Sequence, residues 1–321
     1  MKLGVLTVPL GGMPVADAFR YLSGLGAQCV EIGVGGFPGD AHLSAADYLA
    51  DRGKIDEFKG ILADNSLTIS AFSAHGNPIH PVREKAQKDH EAFVNACKIA
   101  EKFGVDTVVT FSGCPGDQPG AAHPNWVTCA WPPEFLDLLE WQWNEVLIPY
   151  WKETAKIAES YGVTKIALEM HPGFCCYNPR SLMRLREAVG PAIGANFDPS
   201  HLFWQGIRPS DAIKYLGDAI HYFHAKDTKV DQSNVNVNGV LETTPLDDAL
   251  HRGWLFRTIG YGHDAAEWKE IISALRAVGY DGVISIEHED MLMSINEGLE
   301  RAVAFLKDMI FYQGLPKVWW V

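Results

Sequence analysis

Residues 165–178 read KIALEMHPGFCCYN. An apolar, strand-like run ends on Glu169 and His171, and Pro172-Gly173 then turns the chain. Residues i and i+2 of a strand share a face, so Glu169 and His171 are expected to point together, with Ile166, Leu168 and Met170 opposite. One such pair is an ordinary polar strand end. The pattern gains meaning because it recurs: NFDPSH (196–201), FHAKD (223–227) and IEHED (286–290) close three further apolar runs on acidic or imidazole groups.

Working outward, strand-like runs at 2–9, 29–34, 67–74, 106–113, 165–171, 193–198, 220–227 and 282–288 alternate with amphipathic stretches at 14–25, 53–65, 84–104, 134–162, 179–190, 209–217, 265–279 and 293–311. Ala92, Val94, Ile99 and Phe103 illustrate a spacing closer to 3.6 than to 2. Gly104, Gly162 and Gly279 stand just past helical runs as stop signals. Eight strands alternating with eight helices predict an α/β fold, a single (β/α)8 TIM barrel over residues 1–321, since no linker or composition break divides the chain. Two connections, 114–133 and 228–264, are much longer than the rest. Both leave the C-terminal ends of strands, 4 and 7 in order, where barrel enzymes build their sites, and both are expected to be lids or binding loops. The apolar tail GLPKVWWV, with Trp319 and Trp320, is expected to dock on its own barrel or on a neighbouring subunit.

Composition excludes several function classes. A formal net charge of -13 over 321 residues is a poor match for gripping phosphate backbones. No apolar run reaches the roughly 18–20 residues of a membrane span. The N-terminal MKLGVLTVPLGGMP reads as a first strand rather than a signal peptide. The six cysteines show no CxxC spacing and no disulfide framework, which points to a cytoplasmic protein. The glycine-rich GVGGFPGD (33–40) fails the dinucleotide fingerprint, because Pro38 occupies its last glycine position. Ser200 beside His201 is no nucleophile–base pair on adjacency alone.

Period-2 counting sets the four strand ends on one rim. Glu169 inward brings Ala167 inward, Asp198 brings Asn196 and Gly194, His224 brings Tyr222, and Glu287 brings Ser285 and Val283. Three carboxylates and one imidazole in a barrel mouth repel strongly without a cation among them. A carboxylate-rich set with a single imidazole suits Mn²⁺, Mg²⁺ or Co²⁺, with Mn²⁺ the first expectation.

LEMHPG, NFDPSH, FHAKDT and SIEHED in this order, with GYGHDAAEW before the last helices, resemble the xylose isomerase-like barrel superfamily over essentially the whole chain, specifically its sugar phosphate isomerase/epimerase group. The resemblance implies a divalent metal held by Glu169, Asp198, His224 and Glu287, with His201 contacting substrate and Arg257 of FRTIGYGH matching the family's arginine after strand 7. One departure is visible: related ketose 3-epimerases carry a second acid where this chain has Cys175. His171 is then the candidate substitute base, or merely a hydrogen-bond partner of a neighbouring carboxylate.

The implied chemistry is isomerisation or epimerisation of a sugar by proton abstraction beside a carbonyl, through an enediolate. His171 or Glu287 would move the proton, and Glu169 would hold the metal. His75, at the end of strand 3, and Trp126 or Trp131 of the long loop are expected to line the sugar. The runner-up is a lyase or dehydratase acting on a keto-inositol or 3-keto-glycoside, which needs only one base. Expected partners are a small sugar or keto-sugar, not phosphorylated, and further copies of the chain in a dimer or tetramer. The abasic-site endonucleases share the barrel but carry a basic groove, which this acidic chain lacks. A sugar-binding protein without turnover is the remaining alternative.

Overall fold

Ten strands and twelve α-helices follow one another in the computed structural model, which describes residues 1–315, 317–318 and 320. The strands are β1 (Lys2–Leu6), β2 (Cys29–Gly33), β3 (Thr68–Ser73), β4 (Thr107–Phe111), β5 (Lys165–Glu169), β6 (Ile193–Phe197), β7 (Ile220–Ala225), β8 (Asp227–Val230), β9 (Trp254–Arg257) and β10 (Val283–Ile286). All but β8 and β9 pair in parallel around a closed barrel in the order β1-β10-β7-β6-β5-β4-β3-β2. The expected (β/α)8 barrel is therefore the observed one.

The helices are α1 (Val15–Leu25), α2 (Ala45–Ala50), α3 (Arg52–Asp64), α4 (Arg83–Phe103), α5 (Glu134–Trp141), α6 (Ile148–Ser160), α7 (Pro179–Val189), α8 (Ser200–Phe203), α9 (Pro209–Leu216), α10 (Gln232–Asn238), α11 (Ala265–Ala277) and α12 (Ile295–Lys307). The single stretch expected at 134–162 is α5 and α6 joined through a π-helical segment, Gln142–Leu147. Gly104 ends α4 in the left-handed conformation (φ 69°), as a stop signal requires. Asn178 and Ser181 form a reciprocal capping box at the start of α7.

Apolar side chains occupy two layers. Between barrel and helices, Phe19, Phe58 and Phe103 meet edge to face, and Trp151 packs edge-on against Phe93. Inside the barrel, Ala71, Val109, Ala167 and Tyr222 form a small apolar plug, with Val283 against it. Above the plug the interior turns polar: Glu31, Ser73, Glu169, Asn196, His224 and Ser285 are all buried. Alternation along each strand produces this stacking, since inward residues two apart occupy successive layers.

The 228–264 connection has structure that the sequence reading did not anticipate. Strand 7 stops at Ala225 rather than Asp227, and the chain then forms an antiparallel hairpin of β8 and β9 with α10 between them. Asp227 anchors it. Its buried carboxylate accepts from the backbone N–H of Thr228, Gly260, Gly262 and His263, from His263 Nδ1 at 2.8 Å and from Trp268 Nε1 at 3.3 Å. One side chain thus ties the hairpin and the GYGH turn to the end of β7 and to α11. The N-terminal ammonium bonds to Asp281 (2.7 Å) and to the Phe311 carbonyl (2.8 Å), fixing the segment ahead of the GLPKVWWV tail against the barrel. Trp319 lies outside the described residues. Among the described residues, no helix is long and apolar enough to cross a membrane.

Asp227→Ala would leave this buried set of donors without their acceptor. The expected loss is about 3–5 kcal/mol of stability, read as a lower urea midpoint. An unchanged midpoint would show that the carboxylate is not the anchor.

Candidate active site

Four strand ends converge at the polar mouth. Glu169 is the last residue of β5, Asp198 follows β6, His224 is the penultimate residue of β7 and Glu287 follows β10. One donor atom from each lies within 4.8 Å of the others. Asp198 Oδ2, His224 Nδ1 and Glu287 Oε2 are buried without a hydrogen bond among the described residues. His224 Nδ1 and Glu287 Oε2 are 2.9 Å apart, but not aligned as donor and acceptor. Three buried donor atoms without hydrogen bonds, flanked by Glu169, could together hold a divalent cation, as an oxygen-rich set suits.

The surroundings hold these groups in charged forms. Burial opposes ionisation of Glu169, yet the imidazoles of His201, His224 and His75 beside it outweigh burial and keep the carboxyl well below its usual range. Burial likewise opposes ionisation of Glu287, but Lys226 and His224 hold it down to about 2. Asp198 goes the other way: burial raises it to about 6 despite His201 and Lys226.

Glu31, not singled out in the sequence, completes the mouth. It is fully buried on β2, and its two oxygens lie 3.0 and 2.9 Å from His224 Nε2. Ser285 Oγ (2.8 Å) and Ser73 Oγ also donate to it. A carboxylate on Nε2 holds a ring proton there and turns Nδ1 toward Glu169 (3.2 Å) and Glu287 (2.9 Å). The only signal in the sequence was one acid inside the apolar run CVEIGV. Lys226 was also unassigned. Its buried ammonium lies 2.9 Å from Glu289, 3.3 Å from Glu287 and 3.7 Å from Asp198, with the Phe256 ring 4.3 Å below it.

The histidines gather as expected, though by another route. His171 lies beyond β5, where its N–H bonds back to the Glu169 carbonyl (3.0 Å) in a tight turn. A turn, rather than strand alternation, brings it back beside Glu169 and His201. Its Nδ1–H donates to the Pro172 carbonyl at 2.6 Å, so Nε2 carries the lone pair. Burial and the neighbouring His201 push its pKa down to about 3, leaving the ring neutral. His201 Nε2 lies 3.0 Å from Glu169 and 3.2 Å from Asp198, and His75 Nε2 lies 3.1 Å from Glu169.

Other expected residues lie elsewhere. Arg257 points away from His201 and Lys226, its Nε bonded to Asp290 (3.1 Å), because alternation along β9 directs Phe256 to that side instead. Trp126 lines a separate cavity that shares no residue with the mouth, and Trp131 is 74% exposed. The apolar wall of the mouth, a cavity of about 150 Å³, comes instead from Leu6, Val8, Phe37 and Phe111. Gly36 makes the Phe37 position attainable. At φ 68° its backbone passes so near the His75 carbonyl that a Cβ would overlap it, and the Phe37 N–H bonds to the same oxygen at 2.7 Å. Cys175 is buried on the wall of the Trp126 cavity, not in the mouth.

Comparison with known proteins agrees with this architecture. The profile described as "Xylose isomerase-like TIM barrel" matches residues 19–309. The chain belongs to the xylose isomerase-like TIM barrel family. Within curated sequences it is 39% identical over 312 residues to the uncharacterized protein YfiH of Bacillus subtilis (strain 168), covering 97% of this chain and 99% of that one. Among solved structures, the probable 3-DHS dehydratase AsbF of Bacillus anthracis superposes with a TM-score of 0.67 at 17% identity, covering 96% of this chain and 99% of that one. The IolI protein with a bound zinc atom superposes with a TM-score of 0.66 at 18% identity, covering 98% of this chain and 100% of that one. At these identities the two superpositions establish the shared barrel alone.

Glu31→Ala would strip His224, Ser73 and Ser285 of their common acceptor. Breaking such a buried ion pair is expected to cost about 3–5 kcal/mol. Chemical denaturation reads that cost, and a loss below 1 kcal/mol, the ordinary range for an exposed pair, would mean that the pair carries no structural weight.

Proposed function

We propose that the chain is a divalent-metal-dependent isomerase that moves a proton on the carbon beside a carbonyl of a small sugar or keto-sugar. The observation that carries this reading is the convergence of Glu169, Asp198, His224 and Glu287, three of them with unsatisfied buried donor atoms. These four would hold the ion, with His224 offering Nδ1. Mn²⁺ is the first choice, and Mg²⁺ and Co²⁺ fit the same oxygen-rich set. A bound ion supplies Lewis-acid stabilisation for adjacent substrate oxygens. The likeness to IolI, a barrel solved with a bound zinc atom, supports a divalent ion as the cofactor.

His171 is the base. Its Nε2 lone pair borders the same small mouth as Glu169 and Glu287, and the neutral ring accepts the C–H proton directly. Negative charge then develops on the enediolate oxygens, where the Lys226 ammonium offsets it. His201, held between Glu169 and Asp198, orients a substrate hydroxyl. Phe37 and Phe111 cover an apolar sugar face and keep water from the carbanion.

A single base returns the proton to the face from which it took it. That suits transfer between neighbouring carbons, as in aldose–ketose isomerisation, whereas inversion at one carbon needs a second group on the opposite face. Cys175 does not provide it, since its thiol faces another cavity and is pushed well above its usual range, first by Cys114 and then by burial. The same one-base geometry supports a second reading, elimination on an oxidised sugar, and the likeness to the AsbF dehydratase supports it too.

Proton NMR of the Mg²⁺-loaded protein in D₂O, with a panel of ketoses, keto-inositols and 3-keto-glycosides, decides between them. Deuterium beside a carbonyl with mass conserved is the isomerase outcome. Loss of water or of a fragment is the lyase outcome. No exchange while calorimetry shows bound metal would sink both. EDTA is expected to abolish exchange. His171→Gln should slow it about 10²–10⁴-fold, the usual worth of a general base, without changing metal affinity. Cys175→Glu should produce no epimer.

A further inference from the structure

We propose that the cavity behind the β5–α7 loop is a second binding site, built for a small organic acid that carries one negative charge and an apolar ring. The cavity measures about 380 Å³, within the range of ligand sites, which begin at about 300 Å³. Trp126 and Val127 of the 114–133 connection roof it, Leu139 and Trp143 of the α5–α6 run form one wall, and Cys175 and Tyr177 form the other. None of its lining residues belongs to the carboxylate mouth. It is therefore a separate compartment, not an arm of the site above.

The charged groups on its lining, Arg180 and Arg184, are both cationic. Trp126 Nε1 is buried with no hydrogen-bond partner among the described residues. An indole N–H only donates. Two guanidinium groups border the cavity. Arg184 is already neutralised by Glu140 at 2.7 Å and lies over the Trp143 ring at 4.4 Å. Arg180 has no ion pair or hydrogen bond among the described residues, and no Asp or Glu lines the cavity. An exposed guanidinium at the rim, aromatic sides and walls free of carboxylates match a single carboxylate on an aromatic or similarly flat body. Arg180 also stands in the first turn of α7, where the helix dipole adds to the positive potential.

The probe is 4-fluorobenzoate, with neutral 4-fluorobenzamide as its isostere, each titrated by fluorine NMR and calorimetry into the full-length protein with and without Mg²⁺. Saturable binding of the acid is expected, with the amide at least about tenfold weaker, the worth of one charge-assisted hydrogen bond. Arg180→Gln should weaken the acid by the same factor and leave the amide unchanged. Val127→Trp should fill the cavity and exclude both. Arg180 is exposed, so its variant keeps the test decisive if Val127→Trp does not fold. No saturable binding, equal binding of acid and amide, or insensitivity to Arg180→Gln would each overturn the proposal. So would loss of acid binding in Glu169→Gln rather than in Arg180→Gln, because the acid would then occupy the carboxylate mouth.

Discussion

Crowded negative charge at the mouth of a closed barrel is the constraint around which the rest of this structure is arranged. Closing eight parallel strands brings their C-terminal ends onto one narrow rim, and this chain places Glu169, Asp198 and Glu287 there with Glu31 just inside. Buried carboxylates at such spacing are untenable unless each is matched. The matching is visible residue by residue. Glu31 is held by His224 and two serines, Glu169 by His75, His201 and Asn196, and Lys226 is shared among Glu287, Glu289 and Asp198. The atoms left over face one another, and together they could hold a cation.

The second consequence is a division of labour between the two long connections. The hairpin of β8 and β9 is anchored by Asp227, one residue past Lys226, so Phe256 comes to rest against both Lys226 and His201. The 114–133 connection, which leaves β4 across the barrel rim, closes over a different compartment. Gln142 ties it down: its buried amide donates to the carbonyls of Gly116 and Asn125. Loops leaving the same face of a barrel need not serve the same site, and here the direction each takes is set by one buried polar anchor.

Much of this was legible in order along the chain. Glu169, Asp198, His224 and Glu287 could be placed together because each ends an apolar run, and period 2 fixes the inward face; Ala167 and Tyr222 in the barrel plug follow from the same count. His171 came to the right neighbourhood for an incomplete reason, since the strand ends at Glu169 and a tight turn brings the ring back. Glu31 escaped notice because a lone acid in an apolar run has no partner in sequence; its meaning depends on His224, 193 residues away. Arg257 was placed by the resemblance and Trp126 by loop position, and neither carries a face.

By itself, the sequence determined the alternation of elements, the closed barrel and the identities of the groups at the strand ends, because hydrophobic periodicity and chain reversal are local properties. Tertiary structure alone decided which imidazole nitrogen faces inward, where Lys226 is held, that Phe256 rather than Arg257 meets His201, and that Cys175 and Trp126 share a cavity apart from the mouth. Those outcomes rest on contacts between residues far apart in sequence, where hydrogen-bond direction and burial choose among arrangements that local pattern leaves equal.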